Sequence, residues 1–493
     1  MTMKRAFWAV ALGSCLAVVG ASRTITAADV PASPTYTKDV LPILQEKCQS
    51  CHRPGQIAPF SMLSYEATRP WARSIKSRVV AKTMPPWFAD PHTGSFANDG
   101  SLTQNQIDTI AKWVDAGAPQ GNPADAPKPR EWSVGGWQIQ PDLIVRLPDF
   151  KVPARPPKNV IEWVTVTVPS GFTKDTWVTS LELKPSDLSV THHICLSFVP
   201  HRDTVPYYVY NWSESPRDDD GVATDKGATA GGAGAVGPPP GAVPGGPGGR
   251  GGRAGGVPPG APGAPPADAG PFGNDMGGFA CYVPGVQADD YRPFGAAKLI
   301  RAGSDIQIQL HYTPIGKEAI DRPLMGFTIT DTPPQKRWIS YTISGANAKF
   351  AIPPGEANYQ SPPAEATFGA DAWIVQMMPH MHLRGKSMVY KLTYPDGREE
   401  TILNVPKYDF NWQLVYQPAK PLFVPKGTKL HVDATYDNST ANKFNPDPTR
   451  TVYPGRMTWE EMMSPFFGVM TDMKTDPRTV LQLAFGTVVS DGA

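Results

Sequence analysis

The chain has 493 residues, enough at roughly 150 residues per domain for about three domains. Lys plus Arg total 46 against 45 Asp plus Glu, a net charge of +1, so no global field favours a nucleic acid or an anionic membrane surface as partner. Pro (55) and Gly (46) are abundant without a Gly-x-y period, which excludes collagen; aromatics at 10% exclude global disorder, and five Cys are too few for a disulfide scaffold.

Lys4 and Arg5 precede an apolar run over 6–21 and the small-residue sites Ala21-Ser22 and Thr26-Ala27-Ala28. This layout predicts a secretory signal peptide over 1–28 and a periplasmic or secreted protein, with lipidation at Cys15 in Leu12-Gly13-Ser14-Cys15 as the alternative. The run is short for a permanent membrane helix and no later segment approaches one. From 35 to 120 the period is helical. Segments 39–47, 70–81 and 103–116 place apolar residues at i, i+3, i+4, and in the last Thr103 is the N-cap, Ile107, Ile110, Trp113 and Val114 form the stripe, and Gly117 is the stop. Residues 121–136, rich in Pro, Lys and Gly, read as a linker. Beyond them the period becomes two, in runs such as 160–168, 306–312, 373–378 and 387–394 punctuated by Pro/Gly turns, the pattern of antiparallel sandwiches. The Gly/Pro/Ala tract 214–272 has no apolar periodicity and reads as a disordered insertion. Its Gly-Gly-Arg repeats at 248–253 fit a solvated loop better than an RNA-binding segment. The remaining β region suits two sandwiches, over 137–320 and 321–493.

Cys48-Gln49-Ser50-Cys51-His52 is a Cys-x-x-Cys-His motif on a predicted helix. Two thiols one turn apart can form thioethers with the vinyls of a haem, and the following His can reach the iron. A thioredoxin-like pair or half a zinc site would need a βαβ context or a second Cys pair, and neither is present. For the sixth position, Met84 in Thr83-Met84-Pro85-Pro86-Trp87 is held extended by its prolines, and Met62 is the rival. The stretch from Tyr36 to Pro119 resembles a small class I cytochrome c, which implies a covalent haem c and an electron-transfer role.

The nine His are grouped: His192 beside His193, His311 closing Ile306-Gln307-Ile308-Gln309-Leu310-His311, and His380 and His382 flanking Met381. Residues i and i+2 of a strand share a face, so His380 and His382 can chelate one metal with Met381 turned away. His311 lies on the polar face with Gln307 and Gln309. His192 and His193 would point oppositely in a regular strand, so sharing a metal requires a bend there. His92, His201 and His431 read as structural.

Thr191-His192-His193, Leu310-His311-Tyr312, Pro379-His380-Met381-His382 and Trp459-Glu460-Glu461-Met462 occur in the order found in the copper type II, ascorbate-dependent monooxygenases, the peptidylglycine α-hydroxylating and dopamine β-monooxygenase group. The resemblance covers about 140–490. It implies two antiparallel, jelly-roll-like sandwiches facing each other across a solvent cleft, behind a small all-α cytochrome c domain. It further implies an electron-transfer copper on His192, His193 and His311, and a dioxygen-binding copper on His380, His382 and Met462, with Met463 the neighbouring candidate. A thioether favours Cu(I). The disulfide-rich pattern of the animal enzymes is missing; Cys195 and Cys281 either pair across the first sandwich or remain buried thiols. The expectation is an exported dicopper monooxygenase that uses O2 on an unnamed small-molecule or peptide substrate. Electrons come from the haem, ascorbate or a redox partner protein. The rival is a non-catalytic haem/copper electron-transfer or copper-handling protein; a cell-surface binding module that kept the sandwiches would not need the full ligand set.

Overall fold

The computed structural model describes residues 30–132, 136–155, 160–214, 230–235, 280–283, 288–343, 350–455 and 458–483. The expected signal peptide over 1–28 and Cys15 fall outside them, as does most of the 214–272 tract. Within that tract, Ala230–Ala235 pairs as a strand with Val209–Glu214, which corrects the reading of the whole tract as disordered. No helix among the described residues is long and apolar enough to cross a membrane.

The longer helices lie between residues 36 and 115. A π-helical turn, Tyr36–Val40, runs into Leu41–Lys47; Tyr65–Thr68, Ala72–Val80 and Gln104–Asp115 follow. The last begins as its sequence dictates, with Thr103 and Gln106 forming a reciprocal capping box. Gly117, at a φ of 84° open mainly to glycine, ends it. Ile107, Ile110 and Trp113 meet Val40, Leu44 and Ile75 in a small core.

This helical region does not stand alone. The presumed linker packs back on it: Arg130 donates to the Gln45 carbonyl, and the guanidiniums of Arg53 and Arg130 lie 4.1 and 4.9 Å from the Trp132 ring centroid. Residues 87–98 leave the helices and join the C-terminal strands. Trp87 stands edge-on to Tyr416 at 4.9 Å, Ala97 N–H donates to the Gln417 carbonyl, Asn98 Nδ2 donates to the Val415 carbonyl, and Ala89 is buried in the C-terminal core. The chain is therefore mostly strand with few helices, and the expected self-contained all-α unit is not seen as such, because part of it contributes to a β core.

The strands build two cores along one long sheet. That sheet runs Leu143–Arg146, Leu324–Thr330, Thr176–Lys184, Ala296–Ile300, Lys336–Thr342, Ser464–Asp472, Ala372–His380 and Leu422–Val424. Over its first half lies a six-stranded sheet containing Val160–Pro169, Asp305–Tyr312, Thr191–Val199 and, at its edge, Ala280–Tyr282. Over its second half lies another, containing Gly385–Thr393, Lys429–Tyr436 and Ala364–Phe368. Alternation explains both layers: Ile306, Ile308 and Leu310 point into the first core with Val164, Val166, Ile194 and Phe327, whereas Met388, Tyr390 and Leu392 fill the second with Ile374, Val432 and Val469. Each core thus sits between two sheets, as in a β-sandwich. The two are less separate than the sequence suggests, since a short parallel pairing of Ala296 with Lys336 and Ala297 with Arg337 makes the long sheet continuous. Leu324–Thr330, on the C-terminal side of the expected boundary, belongs to the first core.

Cys195 and Cys281 form a disulfide. They are direct partners on neighbouring strands of one sheet, so the bond does not cross the sandwich.

Candidate metal centres

The His192 strand and the His311 strand pair in antiparallel register, His311 opposite His193, until the register shifts: Tyr312 is opposite Thr191. His192 is the extra residue, a β-bulge. It supplies the bend that adjacent histidines need, and it turns His192 to the side of its neighbours. One ligand atom from each of His192, His193 and His311 lies within 4.8 Å of the others, a cluster able to hold a metal ion. His192 Nδ1 and His193 Nδ1 are 3.3 Å apart.

Burial dominates the electrostatics. It drives the pKa of His192 and of His193 well below the ordinary imidazole value, and the neighbouring rings, His311 foremost, push the same way. The rings are therefore neutral, the form that offers a lone pair to a metal. His193 and His311 are 4% and 2% exposed, although their face of the strand carries polar residues. His192 Nε2 is buried with no hydrogen-bond partner, a costly arrangement for a polar atom unless something binds it.

The second group stands where Ala372–His380 ends. His380 and His382 have ring centroids 5.2 Å apart, and Met381 between them is buried in the second core, as the alternation predicts. His380 Nδ1 donates to Gln413 Oε1 at 2.6 Å, and His382 Nδ1 donates to the Glu460 carbonyl at 3.2 Å. An imidazole that donates from Nδ1 keeps the Nε2 lone pair for a ligand. Burial lowers the His380 pKa to about 4.

Glu461, fully buried, ties this group together. Its Oε2 accepts from the backbone N–H of His382 (2.9 Å) and of Met462 (3.3 Å), and its Oε1 accepts from that of Arg384 (2.6 Å). Burial raises its pKa to about 7, against the lowering effect of those donors and of the Arg384 charge. The two methionine candidates now separate. Met463 is fully buried in the second core, its sulfur accepting from Ser361 Oγ at 3.2 Å, whereas Met462 is only partly buried.

The two histidine groups approach each other. Phe410 stacks on His192 (4.7 Å, 16° between planes) and meets the His382 ring edge-on at 6.1 Å. His380 adds to the lowering of the His192 and His193 pKa values, after burial and His311. The open solvent cleft expected between the groups is filled at this point by Phe410, itself 9% exposed.

Leu41–Lys47 ends before the Cys-x-x-Cys-His motif, which therefore occupies the turn after the helix and not the helix itself. His52 N–H still donates to the Cys48 carbonyl, continuing the α spacing. Cys48 and Cys51 are not disulfide-bonded. Burial pushes the Cys48 thiol up to about 12 and raises that of Cys51, so neither is a reactive thiolate. His52 Nδ1 donates to the Phe60 carbonyl at 3.2 Å, leaving Nε2 as the acceptor. These donors fit a covalent haem. Met62 is buried in the helical core, while Met84, partly exposed, precedes Pro85 and Pro86 in the segment that leads to Trp87.

His201 and His431, read as structural, are held by carboxylates: His201 by Asp305 and Asp203, His431 by Glu365 and Asp433. Phe410, Gln413 and Glu461 carry no signal of their own in the sequence; only Glu461 lies within a motif, Trp459-Glu460-Glu461-Met462. No protein-family description and no curated protein matches this chain.

Proposed function

We propose that the chain is an exported two-copper monooxygenase with its own c-type haem, of the copper type II, ascorbate-dependent kind. It inserts one oxygen atom of O2 into a substrate C–H bond, and the other leaves as water. The observation that carries this reading is the meeting of two unlike donor sets: three imidazoles gathered by a bulge, and two imidazoles whose Nδ1 atoms are committed to oxygen acceptors, beside a Glu461-tethered Met462. His192, His193 and His311 would hold the electron-transfer copper, and His380, His382 and Met462 the copper that supplies dioxygen chemistry. Cys48 and Cys51 would attach the haem, and His52 and Met84 would hold its iron. When bound, the metals supply one-electron transfer and dioxygen activation; the protein's part is to fix the tautomers through Gln413, Glu460 and Phe60. The reaction takes up two electrons, delivered singly, and two protons; the electrons would come through the haem, from ascorbate or from a redox partner protein.

A second reading, a non-catalytic haem/copper electron-transfer protein, is favoured by Phe410, which occupies space between His192 and His382. Oxygen uptake separates them. The holoprotein is expected to bind two coppers and, with ascorbate and a panel of small C–H compounds under labelled O2, to place one labelled atom in a product. His380→Ala should lose about one copper of the two, since the site is not preformed without its ligands, and should lose the labelled product. Retention of both coppers would remove His380 from the site, and full copper without oxygen incorporation from any compound would support the second reading.

A further inference from the structure

We propose that Tyr282 is the contact through which the haem-bearing loop passes electrons to the three-histidine site. This rests on the reading above and names the route within it.

The loop after the haem motif is seated on the sheet that carries the histidines. Gly55 and Gln56 line one pocket together with Glu182, Cys281 and Tyr282. The Arg53 charge agrees with that seating: burial raises the Glu182 carboxyl, and Arg53 nearby acts against that rise. Among the described residues, Ala280–Tyr282 is the edge strand of this sheet, paired there with Thr191–Val199. In that pairing Tyr282 stands opposite Ile194, the residue bonded to His193. Cys281 stands opposite Cys195 and is linked to it by the disulfide. The strand is therefore fixed to the histidine strand by ladder hydrogen bonds and by a covalent bond. Its Tyr282 side chain, partly buried against the first core, lines the same pocket as Gly55 and Gln56 of the loop that follows the haem motif.

Electron tunnelling decays less steeply through bonded atoms than across gaps. From the pocket that Gly55 and Gln56 share with Tyr282, one aromatic side chain, one pairing between strands and one peptide unit lead to His193. The step moves a single electron: ferrous haem becomes ferric, and cupric copper at the three histidines becomes cuprous, with no proton transferred. An external one-electron donor, ascorbate in the assay, re-reduces the haem. Tyr282 needs only its ring for this, so the hydroxyl is dispensable. A competing route leads from Met84 through Trp87 to Tyr416, whose backbone bonds Met377 near His380.

Two measurements test the route. In copper-free haem protein carrying 3-fluorotyrosine, the fluorine resonance assigned to position 282 by its loss in Tyr282→Phe should be shifted or broadened by the ferric haem and relax on reduction. An unaffected resonance would overturn the proposal, whatever the protein's activity. In copper-loaded protein, stopped-flow reoxidation of the ferrous haem by cupric copper should slow roughly tenfold in Tyr282→Ala, equivalent to about 1.4 kcal/mol on the barrier. Tyr282→Phe should keep the rate, and copper content and haem potential should be unchanged in both. An unchanged rate in Tyr282→Ala, or slowing in Trp87→Leu instead, would overturn it. Failure of the monooxygenase reading alone would appear as absent oxygen incorporation with both of these results intact.

Discussion

Asp321→Ala is expected to lower the stability of the first β core by about 4 kcal/mol, two or so net hydrogen bonds to a charged acceptor at ~1.5–3 kcal/mol each, and to abolish metal binding at His192, His193 and His311. The Asp321 side chain is fully buried. Its Oδ1 accepts from Ser186 N–H, Ser186 Oγ, Asp187 N–H and Arg322 N–H, and its Oδ2 accepts from Tyr312 OH at 2.9 Å and Thr191 Oγ1 at 3.4 Å. Thr191 and Tyr312 are the register partners just beyond the bulge, so one carboxylate holds the far side of the distortion that gathers the histidines. Removal leaves buried donors without acceptors and lets the two strands return to regular pairing, with His192 and His193 on opposite faces. Denaturant unfolding and copper titration would read the two effects. If the protein is destabilised as expected but copper affinity at this site is unchanged, the bulge does not depend on Asp321.

Glu461→Gln should act on the other group alone. A carboxylate can accept from all three backbone donors, whereas an amide presents its NH2 to at least one of them, and a buried donor so orphaned costs about 1–3 kcal/mol. The segments carrying His382, Arg384 and Met462 would lose their common anchor. Arg384 limits how far they can move: its guanidinium donates to Asn438 Oδ1 and the Trp459 carbonyl, each at 2.7 Å. Copper analysis should show loss at the His380 group with the three-histidine site retained. Equal loss at both would mean that Glu461 supports the whole fold and not one site.

Much of this architecture is legible in the residues. Alternation such as Ile306, Ile308, Leu310 marks its strand because one face must be dry, and Thr103 with Gln106 marks its helix start because a capping box satisfies backbone donors locally. The need for a bend at His192 also follows from side-chain direction alone. What creates the bend is hidden, because it lies in the pairing of Thr191 with Tyr312 and in a carboxylate far away in the chain. Gln413 and Phe410 resemble ordinary loop residues until tertiary contacts set one on His380 and the other on His192. The continuous long sheet depends on a parallel pairing of two residue pairs, too short to leave a periodic signal, and the docking of 87–98 on the second core has none either.

The most direct test of the account is copper X-ray absorption on the fully loaded, ascorbate-reduced protein and on Met462→Ala. The account predicts two coppers per chain, nitrogen scatterers from imidazole at both, and one sulfur scatterer for every two coppers, which disappears in Met462→Ala while the three-histidine copper is unchanged. A protein that binds a single copper, or a sulfur signal that persists without Met462, would contradict it.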